Sequence, residues 1–186
     1  MHNMHPRITE VLTYLATQRA VLERAVATVP ASLRKRRPAP ERWSVAEVLA
    51  HIVIVEGRVT QLLAAQIGAA RAAGLGRERE TSAVVPTVNV ARVLDRSRPV
   101  TAGAASQPPA DADAEIALAA LVERQKALRA TLAAADGLAL GEVSAPNPVL
   151  GPMNVYQWVV FLGAHEARHA AQIHEIADAL AVSEGR

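Results

Sequence analysis

His165 and His169 stand four residues apart in the run GAHEARHAAQIHEI, between Gly163 and Ile176. At 3.6 residues per turn, two imidazoles so placed leave one face of a helix about one turn apart, a spacing that a metal ion can bridge. Trp158, Leu162, Ile173, Ile176 and Leu180 recur at intervals of three and four on that face, so both rings are expected on the buried side. A buried pair of imidazoles needs partners, and two answers stay open here: hydrogen bonds to carbonyls or carboxylates inside a core, or a bound cation.

A third histidine comes from an earlier helix. Trp43-Ser44-x-x-Glu47 is a capping box, in which Ser44 accepts from the amide of Glu47, Glu47 reaches back to the amide of Ser44, and Trp43 staples onto Val48. The helix that begins there runs to Gly74, a suitable C-terminal cap. Val48, His51, Val55 and Leu62 share one stripe, which turns His51 inward. Three neutral imidazoles from two helices leave at least one coordination position for water or substrate, as catalytic rather than structural zinc sites do. The helix bearing His165 and His169 begins in the same way, with Asn154 as cap, Gln157 at the third position and Met153 placed to staple onto Trp158.

The other elements follow from the same signals. A first helix is predicted from about Arg7 to Val29, on the stripe Ile8, Val11, Leu12, Leu15, Leu22, Val26 and Val29, and it is ended by Pro30. A third is predicted from about Asp113 to Ala135, with Asp111 and Asp113 at its positive end and Leu118, Leu121, Val122, Leu128 and Leu132 as its buried face. Residues 75–112 carry prolines and charges without a sustained period, apart from a short element around Val88 to Leu94, and a connection of this length is either functional or partly disordered. It is also long enough to return the chain so that helices two and three run parallel. No strand and no repeat is expected, so the fold class is all-α, a four-helix bundle forming a single domain over residues 1–186.

Half of the residues are hydrophobic but only 3% are aromatic, so the core is built of Ala, Leu, Val and Ile. The absence of cysteine excludes disulfides, thiolate ligands and a cysteine nucleophile. A net charge of +2 gives no electrostatic case for nucleic acid as the main partner. Arg34, Lys35, Arg36 and Arg37 form a basic tetrad, but no aromatic side chain is interleaved to stack bases, which favours a solvated loop. The N-terminus MHNMHPRITEVL has no signal pattern, and no uninterrupted apolar run reaches the eighteen or so residues of a membrane span. The expectation is a cytoplasmic protein without a membrane partner.

WSVAEVLAH (Trp43 to His51), VLGPMNVYQWVVF before the last helix, and HEARHAAQI (His165 to Ile173) together resemble the DinB-like (DinB/YfiT) superfamily of bacterial four-helix bundles. With the helix count and the long second connection, the resemblance covers nearly the whole chain. It implies an up-down-down-up bundle and a divalent metal, zinc or nickel, held by His51, His165 and His169. It also implies activities such as thiol-dependent transfer with mycothiol or bacillithiol, or isomerisation, with a small molecule or thiol as partner. Many relatives carry histidine where this chain has Asn147 in NPVLG, so a role for a histidine there does not carry over. A non-catalytic metal-binding bundle, acting as a stress-response or interaction module, is the alternative, and a homodimer through an Ala-rich helix face is compatible with either.

His165-Glu166-Ala167-Arg168-His169 also satisfies HExxH, in which two histidines bind zinc and the glutamate acts as general base. The peptidase reading lacks the strand on which peptide substrates are laid, and Glu166 is placed behind the ligands or in solvent. Glu47, four residues before His51, is explained by its cap. Gln172 either reaches the site or meets a neighbouring helix. Arg168 is expected in a surface ion pair more than on a cofactor carboxylate. His174 falls on an exposed face, and His2 and His5 in a frayed terminus.

Overall fold

Each long helix begins where a polar side chain closes its first turn. The computed structural model describes residues 4–97, 101–147 and 150–184. In α1 (Pro6–Ala27) His5 accepts from the amide of Arg7, and proline occupies the first helical position, where its missing N–H costs nothing. In α2 (Val45–Ala72) both halves of the Ser44–Glu47 capping box form, at 3.2 and 2.8 Å. Asp113 accepts from the amides of Glu115 and Ile116 to start α4 (Ala114–Ala134). In α5 (Val155–Glu184) Asn154 and Gln157 exchange bonds of 3.0 and 3.1 Å. Each cap is worth about 1 kcal/mol. Gly74, at φ +85°, and Leu75 close the far end of α2 by donating to the carbonyls of Arg71 and Ala70, the left-handed stop that glycine permits.

A fifth, short helix, α3 (Val90–Leu94), lies in the long connection, which also holds 3-10 turns at Val85–Thr87 and Ala104–Ser106. The expectation of four long helices therefore stands within a mostly helical chain. The expectation of no strand does not: β1 (Ser144–Asn147) and β2 (Gly151–Asn154) form an antiparallel hairpin. Its strands are four residues long and each holds a proline, too short for a period-two signal to emerge. Trp158 Nε1 donates to the Ala145 carbonyl at 3.3 Å, so the hairpin is tied to α5.

α1 packs along α5, α4 along α2, and α2 also meets α5. Contacts rise together along the first pair, with Arg7 over Tyr156, Tyr14 against Gly163 and Arg19 on Glu166. They also rise together along the second, where the Arg124 guanidinium covers Gly57 and Arg71 donates to the Ala134 carbonyl. Gly163 is required: a Cβ there would stand 2.7 Å from the Tyr14 ring. α4 buries a narrow stripe of Leu121, Leu128 and Leu132, and Val122, expected inside, is 44% exposed because it lies one residue around the helix from Leu121, away from α2.

The apolar core divides into two clusters. One holds Ile8 to Leu15, Val59 to Ile67 and Val155 to Ala164, and the other holds Leu22 to Val29, Val45 to Ile52 and Ala170 to Leu180. Between these stretches every long helix except α4 places buried polar residues: Arg19 on α1, His51 and Glu56 on α2, and His165, Glu166 and His169 on α5. The polar groups thus form a waist across the bundle.

Several surface expectations resolve by pairing. Arg34 pairs with Glu115, Lys35 with Asp113 and Arg37 with Glu47, so three of the four cations of the basic loop are fixed to carboxylates at the starts of α2 and α4. His5 is no frayed residue, since it caps α1 and its amide donates to Asp136 at 2.9 Å. His174 is exposed, and His2 and positions 148 and 149 of the NPVLG turn lie outside the described residues. By length and average composition α2 is apolar enough to cross a membrane, which a search for uninterrupted apolar runs misses. Here it packs against α4 and α5 and buries His51 and Glu56.

Candidate metal centre

α2 and α5 bring the three histidines together. One ring nitrogen from each of His51, His165 and His169 falls in a group no wider than 4.8 Å, and all three residues are less than a tenth exposed. His165 Nε2 lies 3.3 Å from His51 Nε2 and 3.1 Å from His169 Nε2.

The outer nitrogens fix the protons. His51 Nδ1 is 2.7 Å from the Ser106 carbonyl, and a carbonyl can only accept, so Nδ1 donates. His169 Nδ1 donates in the same way to Gln172 Oε1 at 2.8 Å. Both Nε2 atoms are therefore left with lone pairs, turned on the same nitrogen of His165. A proton on His165 Nε2 can serve one of them, and His165 Nδ1 has no partner of its own. A cation satisfies all three lone pairs at once. Tetrahedral zinc with Zn–N bonds of about 2.0–2.1 Å spaces its nitrogens about 3.3 Å apart, so the donor set and spacing fit a divalent ion.

The electrostatics favour neutral ligands. Burial pushes His51 down, with the Ser106 carbonyl opposing. Burial and then the neighbouring His169 and His51 hold His165 well below the usual imidazole range. His169 is lowered to about 3 by burial and His51, with Gln172 opposing. Metal binding needs deprotonated imidazole, and the fold supplies it.

One side of the group is open. The histidines edge a cavity of about 1230 Å³ whose walls include Val55, Val59, Leu62, Trp158 and Phe161. Thus Val55 and Leu62, half-buried, line this space rather than a closed core. Asn147 is buried and lines it too. The segment 75–112 closes another side, through Arg92, Val93, Arg96 and the turn carrying Ser106.

The remaining candidates separate. Gln172 reaches the site. Glu47 does not, being held by Ser44 and Arg37. Arg168 donates to the carbonyls of Val93 and Asp95, fastening α3 to α5. Glu166 is fully buried, but both its oxygens accept from Arg19, at 2.9 Å each, while Arg19 Nη2 also donates to Glu56 at 2.7 Å. A glutamate so engaged is no general base, which removes the peptidase reading of HExxH. The Arg19–Glu56–Glu166 cluster was missed in the sequence, although Arg19 falls in the gap of the first stripe between Leu15 and Leu22, where a buried side chain is due.

A helical bundle with three buried imidazoles converging at the edge of a cavity is an arrangement that could hold a metal ion among its helices. The chain belongs to the DinB superfamily, whose family model matches residues 14–173. Comparisons with curated proteins and with solved structures return no match.

Proposed function

We propose that the chain is a metal-dependent enzyme in which His51, His165 and His169 hold one divalent ion, zinc or nickel. A low-molecular-weight thiol, mycothiol or bacillithiol, serves as co-substrate for an S-transfer or isomerisation. The observation that carries this is the convergence of three neutral imidazole nitrogens on an open cavity rather than a closed core. A divalent ion there supplies the positive charge that lowers the pKa of a thiol or water beside it.

The chain's own residues do the rest. Ser106 and Gln172 set the tautomers and ring orientations of His51 and His169. Trp158, Phe161 and Val55 exclude water from one wall. With no cysteine in the sequence, a thiol nucleophile has to enter as a small molecule. We adopt the up-down-down-up order over one domain of residues 1–186, supported by the contacts that rise together along α1 with α5 and along α2 with α4. The setting is cytoplasmic and the partners are small molecules, with neither nucleic acid nor membrane involved; a homodimer is compatible.

Protein purified without an affinity tag is expected to carry one metal ion per chain by elemental analysis, and His51→Ala none. After cobalt substitution, mycothiol, bacillithiol or glutathione is expected to change the visible spectrum. The thiol and a chloro-dinitroarene or maleylpyruvate should then be consumed faster than with His165→Ala. A protein that binds the ion yet leaves every thiol unconsumed is a non-catalytic metal-binding bundle, an interaction or stress-response module. A protein whose divalent-ion binding is unchanged by His51→Ala has only a polar cluster in its core.

A further inference from the structure

The cavity beside the histidines carries an excess of positive charge. Arg58 of α2 and Arg92 of α3 line it together with Arg96 and Arg168, against Glu41 as the one carboxylate among its lining residues. Arg96 is engaged by Glu175 through two bonds of 2.7 and 2.6 Å, and Arg168 by main-chain carbonyls. Arg58 makes a single weak contact, 3.4 Å to the Ala105 carbonyl. Neither Arg58 nor Arg92 pairs with a carboxylate among the described residues.

Both share the cavity lining with the three histidines. Arg58 follows His51 by seven residues, two turns along the same helix face and roughly 10 Å along the axis. Val55 lies between the two along α2, and Val59, Leu62, Trp158 and Phe161 add apolar lining to the same cavity. The cavity therefore joins imidazoles, an apolar wall and guanidinium groups in one lining. At about 1230 Å³ it exceeds the roughly 300–1,000 Å³ of most small-molecule sites, leaving room for a second reactant. Guanidinium groups with no carboxylate of their own, beside an apolar surface, match a ligand that is apolar along its body and anionic at one end.

We propose that Arg58 and Arg92 form an anion-recognition end of this cavity. The small molecule taken there bears a carboxylate on an apolar body whose opposite end reaches His51, His165 and His169. The reactive end rests on the three-histidine reading above, whereas the anion end rests on the two arginines alone.

Both tryptophans of the chain, Trp43 and Trp158, line the cavity, so intrinsic fluorescence reports its occupancy without any turnover. The full chain, chelator-treated or zinc-loaded, is titrated with 4-phenylbutyrate and with the corresponding amide and amine. The carboxylate is expected to bind about tenfold or more tightly than either in both states, as charge-assisted pairing requires, and to weaken with salt. Arg58→Gln with Arg92→Gln should abolish the preference and leave the amide unchanged. Arg58→Glu with Arg92→Glu should transfer the preference to the amine. Both positions are exposed, so these variants are expected to fold as the parent does, and circular dichroism checks it. A preference that needs zinc and survives both double variants makes the carboxylate a metal ligand and overturns the proposal. Equal binding of the three probes in both states overturns it while leaving metal binding intact. An arginine-dependent preference in a chain that takes up no zinc upholds the anion end and removes the metal reading.

Discussion

His165 and Glu166 are neighbours in the chain and belong to two unlike polar clusters at the same waist of the bundle. On one side Arg19 sits between Glu56 and Glu166, its Nε and Nη2 committed to their oxygens. Burial works against the Arg19 charge, and the two carboxylates outweigh it and raise its pKa. Burial also pushes Glu166 above the usual carboxylate range, with Arg19 opposing and Glu56 adding. On the other side three imidazoles, each driven neutral, turn their lone pairs on one another beside a cavity. Both clusters are buried. The difference is that one pairs a cation with two carboxylates, leaving Arg19 Nη1 without a partner, and the other leaves lone pairs that a cation could meet, so the kind of need left open rather than burial sets the two apart.

Breaking the closed cluster should have the largest effect. Arg19→Leu leaves two buried carboxylates without their cation and is expected to cost about 3–5 kcal/mol of stability in urea denaturation. Replacing Arg19, Glu56 and Glu166 together by leucine should recover most of that loss, since no buried charge is then stranded. If the single variant is as stable as the parent, the ion cluster does not anchor the waist.

Chelation tests the open cluster. With the ion held at 100 times its dissociation constant, removal should cost about 2.7 kcal/mol, seen as a fall in Tm, with no such fall in His165→Ala. Acid should act on the metal-free protein in the same place. The lowered histidine pKa values mean that the unfolded chain binds more protons than the native one below the ordinary imidazole pKa of about 6.5. Their contribution is therefore fully present above that pH and is lost as pH falls towards about 3, the value for His169. A metal-free His51→Ala/His165→Ala/His169→Ala variant should lose this acid slope, which pH-dependent urea titration measures.

Gln172→Leu should be milder, weakening metal affinity by about 10–100-fold while His51 keeps its carbonyl partner; competition with a chromogenic chelator would register it. Smallest of all, Val122→Thr should change stability by less than about 0.5 kcal/mol, because Val122 belongs to neither cluster and is exposed. A larger loss would mean that the outer face of α4 is covered in solution.

What could be read from the sequence was what local chemistry decides. Ser44 with Glu47, and Asn154 with Gln157, announce their helices because each cap is complete within four residues. His165 and His169 share a face because the helix period puts them there, and His51 follows from its own stripe. Their convergence came from the family resemblance as much as from spacing. Arg19, Glu56 and Glu166 could not be paired in advance, since their meeting depends on how three helices are rotated about their axes. The same rotation decides that Glu166, one residue from a candidate ligand, faces α1 instead of the cavity. The hairpin at Ser144–Asn154 was missed because its pairing is set by a turn and by Trp158 rather than by alternation along a strand.

The acceptor that orients His51 is a main-chain carbonyl, that of Ser106, and no point substitution can delete it. At His169, where the acceptor is the Gln172 side chain, one codon change is enough. The His51 contact is instead vulnerable to the path of the backbone: losing or inserting a single residue in the segment 101–107 would withdraw the carbonyl with every side chain of the histidine group still in place. His51 is thus tolerant of mutational drift in the segment that covers it and sensitive to that segment's length and posture, so whatever shifts the turn at Ala104–Ser106 also changes the basicity of one imidazole.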